Sequence, residues 1–462
     1  MPNSGPMHIR LSHHLRLRDV PKALYDTLVE KLTLANPKYL ENARMGRWNR
    51  GVPKALKLFD RIPKGGLVIP RGTLRQLILL CRRLGIDYTI DDERRRLVEI
   101  DLNFKGTLKP FQQEAVAAMA RRDFGTLSAP TGSGKTVMGL ALIAARRQPA
   151  LVVVHTRDLA LQWMERMKSF LDVKDEAIGF IGGGKVRMGR EVTVAMVQTL
   201  YKCADKVAPE VGFLVVDECH RCPSRLFTEA VTAFDSRYML GLSATPWRRD
   251  KLSQLIFWHL GDVHHEISQE RLVKTGDVLS ADVIFRNTEF EPYFDPVNDY
   301  SRMLSELTAD DHRNRLIAAD VAQAAAEDGG GVCLVLSDRK KHCQALQALI
   351  RFKHGVDCDL LTGDLSNDQR KEVIERLHRG KVGVLVATGQ LIGEGFDCPG
   401  LTTLFLATPI RFSGRVTQYL GRVLRPAPEK KKARVYDYVD VRVDVLVAAA
   451  RSRQRVYGMG PA

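Results

Sequence analysis

From about residue 104 onward the chain alternates short apolar runs with helical stretches, and that rhythm predicts most of its elements. Residues 151–154, 192–196, 213–216 and 239–242 are the strand candidates, apolar runs interrupted only at Thr193 and Gly241. Such runs mark strands covered on both faces, as in a parallel sheet flanked by helices. The rhythm returns after about residue 309, with strands expected at 332–336, 356–361, 382–387, 402–407 and 435–438. Helices are expected near 313–327, 340–353 and 366–379. Between the two α/β halves, 266–308 is less regular, contains Pro292, Pro296 and several acidic residues, and reads as a connecting segment.

The first hundred residues follow another pattern. A helical stretch over 21–34 precedes a short, partly extended piece at 54–62. A strand at 66–72 ends in a turn, and 73–84 forms an amphipathic helix with Leu74, Leu77, Leu80 and Cys81 on one side. Basic residues are dense here: Arg44, Arg47, Arg50, Lys54, Lys57, Arg82, Arg83 and the run 94–96. Trp48 lies among these arginines, which suits base stacking; a solvated basic surface around a half-buried Trp is the other reading. Beyond Val441 a helix-like run carries Arg451, Arg453 and Arg455. Packing on the second half and touching DNA are both open to it.

With 462 residues, 45% apolar and 27% charged, the chain is too long for one core and has a globular balance. It lacks a ~20-residue apolar span and the layout of a secretory signal, so a cytoplasmic protein with no membrane partner is expected. Of eight cysteines only Cys219 and Cys222 are close, with no second pair at zinc spacing, so free thiols are expected. The net charge of +16 favours a polyanionic partner, since neutralising phosphates releases counterions. Charge alone is weak; joined to a motor signature it becomes informative.

That signature starts at 129–136, Ala-Pro-Thr-Gly-Ser-Gly-Lys-Thr, between an expected short strand and a helix. Thr131, Gly132, Ser133 and Gly134 let backbone N–H groups close around phosphates. Lys135 reaches their β and γ oxygens, and Thr136 ligates Mg²⁺. Ala129 stands where the strict pattern has Gly. Downstream, the apolar run 213–216 ends in Asp217 and Glu218. A carboxylate at the strand end holds hydrated Mg²⁺, and its neighbour orients and deprotonates the attacking water. ATP and Mg²⁺ are therefore the expected cofactors.

Asp217-Glu-Cys-His220 resembles the D-E-x-H box of superfamily 2 helicases, and further motifs follow in that family's order over roughly 104–440. The resemblance implies an α/β chain of two tandem RecA-like parallel-sheet domains, preceded by a small α+β N-terminal domain. The expected boundaries are 1–103 for an accessory domain, 104–265 and 309–440 for the RecA-like domains, 266–308 for the connection and 441–462 for a basic tail. It gives Gln112 to adenine, and Thr156, Arg157, Gln198, Thr199, Arg339, Thr362 and Thr388 to nucleic acid. Gly395 and Asp397 belong to a motif touching both nucleotide and strand. His220, Ser243, Thr245 and Gln418 take coupling roles. Arg422 and Arg425, three apart on an expected helix, are implied arginine fingers that stabilise transition-state charge.

Residues 241–250 and 394–399 look most like the XPB-like DNA helicases and their bacterial and phage relatives. This implies an ATP-dependent DNA helicase or translocase that couples hydrolysis to movement along or unwinding of DNA, with 3′→5′ direction and a place in DNA repair. Remodelling of protein–DNA complexes or restriction-type translocation without strand separation is the alternative; an RNA substrate is a further one. A nucleotide-regulated binding module is disfavoured, since Lys135, Asp217, Glu218, Arg422 and Arg425 are all intact. If 1–100 is an accessory DNA-binding domain, deleting it weakens DNA binding more than DNA-free hydrolysis.

Overall fold

The computed structural model describes residues 5–221, 225–244, 252–327, 331–392, 398, 400–410, 413–425, 430 and 433–457. The chain divides into two compact units, 1–129 with 134–267, and 130–133 with 268–462.

The first unit holds two large sheets and a small two-stranded one. Its N-terminal part is a five-stranded sheet in the order Asp60–Ile62, Gly66–Pro70, His14–Arg18, Met7–Leu11, Tyr88–Asp92. Met7, Ile9 and Leu11 are buried while His8 and Arg10 alternate outward, the period expected of a strand with one covered face. The helices Lys22–Lys31 and Leu74–Leu84 supply Leu24, Leu28, Leu77 and Cys81 to that face. The helix expected over 21–34 stops at Lys31, because Thr33–Ala35 pairs instead with Ala55–Lys57 as a small two-stranded sheet. Thr33 and Leu34 thus go to the strand that can pair, a tertiary choice overriding a weak local preference.

Two further residues of this core, Leu255 and Trp258, come from the helix Ser253–Leu260, far downstream in the chain. Gly72 makes the approach possible: a Cβ there would lie 2.3 Å from the Phe257 carbonyl and 2.6 Å from that of Trp258. Polar bonds stitch the seam. Arg71 is buried and donates to the Ser236 carbonyl at 2.8 Å. Arg94 pairs with Asp123 at 2.8 Å, Arg95 with Asp235 at 2.9 Å, and Gln148 binds both backbone groups of Leu97. The N-terminal part is therefore built into the first unit, beside the second large sheet of that unit.

The second sheet of this unit has eight strands: Lys185–Arg187, Gly179–Gly182, Val192–Met196, Ala150–Val154, Phe213–Val216, Tyr238–Ser243, Phe124–Ser128 and Val263–Glu266. All neighbours are parallel except the pair Lys185–Arg187 and Gly179–Gly182. Every residue of Ala150–Val154 and Phe213–Val216 is buried, as their unbroken apolar runs require.

The second unit is built on six parallel strands, Ala281–Thr288, Ala433–Asp440, Leu401–Leu406, Val332–Ser337, Val384–Thr388 and Cys358–Leu361. Ala281–Thr288 lies inside the stretch read as a connection. It is an edge strand, mostly half-buried, with Asp282, Arg286 and Asn287 among its apolar residues, which is why its pattern looks irregular. The tail likewise forms a helix, Asp444–Val456, that joins this unit: Leu446 packs with Phe290, Met303 and Leu307, and buried Arg453 pairs with Asp437 at 2.6 Å. Of the three tail arginines, Arg451 and Arg455 are exposed.

Candidate nucleotide site and strand-contact loops

The loop 129–134 connects the strand Phe124–Ser128 to the helix Lys135–Arg146. Gly132 and Gly134 have φ of +88° and +82°, a left-handed backbone in which glycine avoids the Cβ penalty. A Cβ on Gly134 would lie 2.5 Å from Gln112 Nε2. Gln112 is thus fixed against the loop, and its Oε1 accepts from the Lys109 N–H at 3.0 Å. Ser133 Oγ donates to the Pro130 carbonyl at 2.7 Å, and Lys135 Nζ to the Ala129 carbonyl at 3.1 Å. Thr136 follows in the first turn of the helix, whose N-terminal N–H groups favour an anion. Thr131 completes the loop in a turn.

Asp217 and Glu218 follow the buried strand Phe213–Val216. Asp217 is itself buried; its Oδ2 accepts from Trp163 Nε1 at 2.8 Å and its Oδ1 from the Glu218 N–H at 2.9 Å. Burial, and then the Glu218 charge, push the Asp217 carboxyl up to about 6, against the pull of Trp163 and Lys135. Such a carboxylate gains from a nearby cation, so the donor set fits Mg²⁺ on Thr136 and Asp217. Trp163, in the helix Arg157–Leu171, is a site residue that sequence reading missed, since it looks like any apolar helix position. Gly139 admits it: a Cβ there would lie 2.9 Å from the indole.

Glu218 has φ of +49°, an uncommon backbone for a non-glycine residue and one met at functional turns. His220 Nδ1 lies 3.2 Å from both Glu218 Oε2 and Ser243 Oγ. The Ser243 carbonyl in turn accepts from the Ala129 N–H at 2.9 Å. Phosphate loop, carboxylate pair and the end of the strand Tyr238–Ser243 are therefore one bonded cluster. Cys219 is buried in the apolar core beside these groups, and burial raises its thiol pKa.

The strand-contact candidates gather at carboxyl ends of neighbouring strands, where open α/β sheets present loops to ligands. In the first unit Ala150–Val154 and Val192–Met196 are adjacent, with Val154 opposite Met196. Thr156 caps the helix that begins at Arg157, accepting from the Leu159 N–H at 3.4 Å. Gln198 Nε2 donates to the His155 carbonyl at 2.9 Å, and Thr199 follows in the same short helix. In the second unit Arg339, Thr388 and Thr362 lie at the ends of three consecutive strands. Arg339 donates to Ser301 Oγ at 3.1 Å. Thr362 and Thr388 are buried.

Arg422 is buried in the helix Ser413–Val423. Arg425 lies past the last helical residue, in a closing turn whose N–H reaches the Arg422 carbonyl at 3.4 Å. The helix expected to carry both arginines is thus two residues short of the second. Thr245, Gly395 and Asp397 lie outside the described residues, as does the side chain of Gln418.

Residues 105–248 match the family described as type III restriction enzyme, res subunit, and residues 314–427 match the helicase conserved C-terminal domain. A protein of Acanthamoeba polyphaga mimivirus bearing an ATP-dependent RNA helicase name is 27% identical over 374 residues, covering 77% of this chain and 69% of the relative. The DNA 3′-5′ translocase XPB2 of Sulfurisphaera tokodaii is 26% identical over 349 residues, covering 69% of this chain and 78% of the relative. Among solved structures, S. cerevisiae Dbp5 bound to RNA and ADP BeF3 aligns with a TM-score of 0.56 at 15% identity, over 76% of this chain and 87% of that one. That likeness supports the fold: two RecA-like parallel sheets. Among the described residues no helix is long and apolar enough to cross a membrane. With a restriction-type motor segment and a helicase C-terminal domain following in order, the chain belongs to the superfamily 2 helicases and is an ATP-hydrolysing enzyme of that family.

Proposed function

We propose that the chain is a DNA translocase that couples ATP hydrolysis to 3′→5′ movement and belongs to DNA repair. The observation that carries the coupling is the position of His220, 3.2 Å from both Glu218 and Ser243. A change at the hydrolytic carboxylate reaches the end of the strand leading to Thr245 through the short polar contacts of His220, to Glu218 Oε2 and to Ser243 Oγ. DNA as the track is supported by the DNA-translocase relative and by the +16 charge.

In this reading the backbone N–H groups of 131–134 and the helix N-terminus bind the ATP phosphates, and Lys135 neutralises the γ-phosphate. Gln112 reads the adenine edge. Glu218 accepts the proton of the attacking water. Mg²⁺, on Thr136 and Asp217, would supply charge neutralisation at the β and γ oxygens. Arg422 and Arg425 compensate the charge that develops on the transferred phosphoryl group, while Gly395 and Asp397 belong to the motif that touches both nucleotide and nucleic acid. Gln418 joins His220, Ser243 and Thr245 in passing the change to the strand contacts Thr156, Arg157, Gln198, Thr199, Arg339, Thr362 and Thr388. Trp48, 90% exposed beside Arg47 and Arg50, offers a stacking face to bases, where a half-buried Trp was the other expectation.

The deciding experiment is steady-state ATP hydrolysis without nucleic acid and with single-stranded DNA, duplex DNA and RNA, against Glu218→Gln as the blank. DNA stimulates the wild type clearly above its DNA-free rate, and the variant loses at least about a hundredfold in rate. Stimulation by RNA alone moves the track to RNA, in keeping with the mimivirus relative's name. Absence of hydrolysis under every condition sinks the reading.

A further inference from the structure

The helix Ser413–Val423 presents more than Arg422. Arg415, Tyr419 and Arg422 are spaced four and three apart, so they share one face. Arg415 Nη1 lies 3.2 and 3.3 Å from the two carboxylate oxygens of Asp338. One turn on, the buried Tyr419 hydroxyl donates to the Gly389 carbonyl at 2.8 Å. Burial pushes that phenol up to about 12, so it stays a donor at any working pH.

Those two targets are themselves neighbours. Ser337 and Thr388 are paired residues of adjacent parallel strands, so Asp338 and Gly389 are the first residues past the two strand ends. The space between them is full: a Cβ on Gly389 would lie 2.4 Å from the Tyr419 hydroxyl and 3.2 Å from Asp338 Oδ1. Asp338 is held from a third side, its N–H donating to Thr408 Oγ1 at 2.9 Å. One helix face therefore grips, one turn apart, the loop that carries Arg339 and the start of the short helix Gly389–Ile392 that follows Thr388.

We infer that Tyr419, assisted by Arg415, is a positioning residue that makes the strand-contact loops at Arg339 and Thr388 move with the helix bearing Arg422. This rests on the functional reading of those three residues given above. A helix turn is stiff over the ~5 Å separating residues 419 and 422, so a displacement at Arg422 arrives at Tyr419 undiminished. The loops must follow, because parting the buried phenol from the Gly389 carbonyl leaves two polar groups without partners. Neither Tyr419 nor Arg415 needs to touch nucleotide or strand for this.

Tyr419→Phe removes the hydroxyl and keeps the ring that fills the site. ATP hydrolysis is measured with and without a single-stranded oligo-dT DNA, alongside oligo-dT affinity by fluorescence anisotropy and Tm. The DNA-stimulated rate falls by about tenfold, the scale of one buried hydrogen bond, while DNA-free rate and affinity stay within about twofold and Tm within a few degrees. Arg415→Ala acts in the same direction, and Arg415→Lys, which can keep the ion pair, restores part of the stimulation. An unchanged stimulated rate in Tyr419→Phe overturns the inference, as does an equal fall of both rates with a large drop in Tm, which means a structural role only. A wild-type chain that neither DNA nor RNA stimulates is recognised before any substitution is made, and it brings down the motor reading together with this inference.

Discussion

Arg71 and Arg453 are both 2% exposed, one in the N-terminal part of the first unit and one in the C-terminal helix of the second, yet their surroundings differ. Arg71 donates to the Ser236 carbonyl and the Met239 sulfur and lies over the Phe124 ring, and burial pushes its guanidinium down to about 9. Arg453 forks onto Asp437 through Nε and Nη2; burial pulls its pKa down, but hydrogen bonds and charge from that carboxylate more than offset this and leave it raised. A second pair of the same kind, Arg313 with Asp440, is buried on the same strand. The second unit thus secures its C-terminal helix with a charge compensated in place. The first unit secures its N-terminal part with an apolar seam around Trp258 and Leu255, flanked by the Arg94–Asp123 and Arg95–Asp235 pairs, and buries Arg71 against a carbonyl with no carboxylate among the described residues in hydrogen-bond contact. The two seams differ in what their fully buried arginine meets: a carbonyl in one, a carboxylate in the other.

The largest effect expected from this contrast is deletion of residues 1–100. It uncovers Leu255 and Trp258 together, both of which are buried in the N-terminal core. Losing the partners of a buried Trp alone costs about 3–5 kcal/mol, so the truncated chain loses DNA-free ATP hydrolysis as well as DNA binding. Recovery of a soluble chain with normal DNA-free hydrolysis would break the comparison. Next comes Asp437→Asn, which strands Arg453 as a buried charge. It lowers stability by about 3–5 kcal/mol, read from denaturant midpoints with circular dichroism. Arg71→Met is milder, within about 1–2 kcal/mol, because removing an uncompensated cation offsets the lost bond to Ser236. Equal losses for these two variants would show that the seams do not differ. The smallest effect on stability is that of Trp48→Ala, which leaves the denaturant midpoint in place while weakening single-stranded DNA binding about fivefold or more. Unchanged binding there assigns Trp48 to the surface alone.

Strands of the two large sheets were legible wherever both faces are covered, since an unbroken apolar run such as 150–154 has few other uses. Ala281–Thr288 escaped because an edge strand carries polar residues on its open side. Strands Met7–Leu11 and His14–Arg18 escaped for a related reason: alternation with His and Arg makes a half-covered strand look like a basic loop. In the site, Lys135, Asp217 and Glu218 were legible because phosphate and carboxylate chemistry demands those residue types at that spacing. Trp163 and Tyr419 were not. Each acts through one hydrogen bond to a residue 54 or 30 positions away, and no local pattern reports such a pair.

By itself, then, the sequence determined the two α/β halves, the order of the motifs and the chemistry of the phosphate loop. These follow from short-range rules: apolar period, glycine conformation and the charge of single side chains. Tertiary structure alone decided that the N-terminal part is built into the first unit and that the C-terminal run completes the second. It also decided that one helix face grips two loops. The physical reason is the same in each case. Burial of Trp258 by Gly72 and its neighbours, the Arg453–Asp437 pair and the Tyr419–Gly389 bond depend on residues far apart in the chain, and their energy exists only once the chain has brought them together.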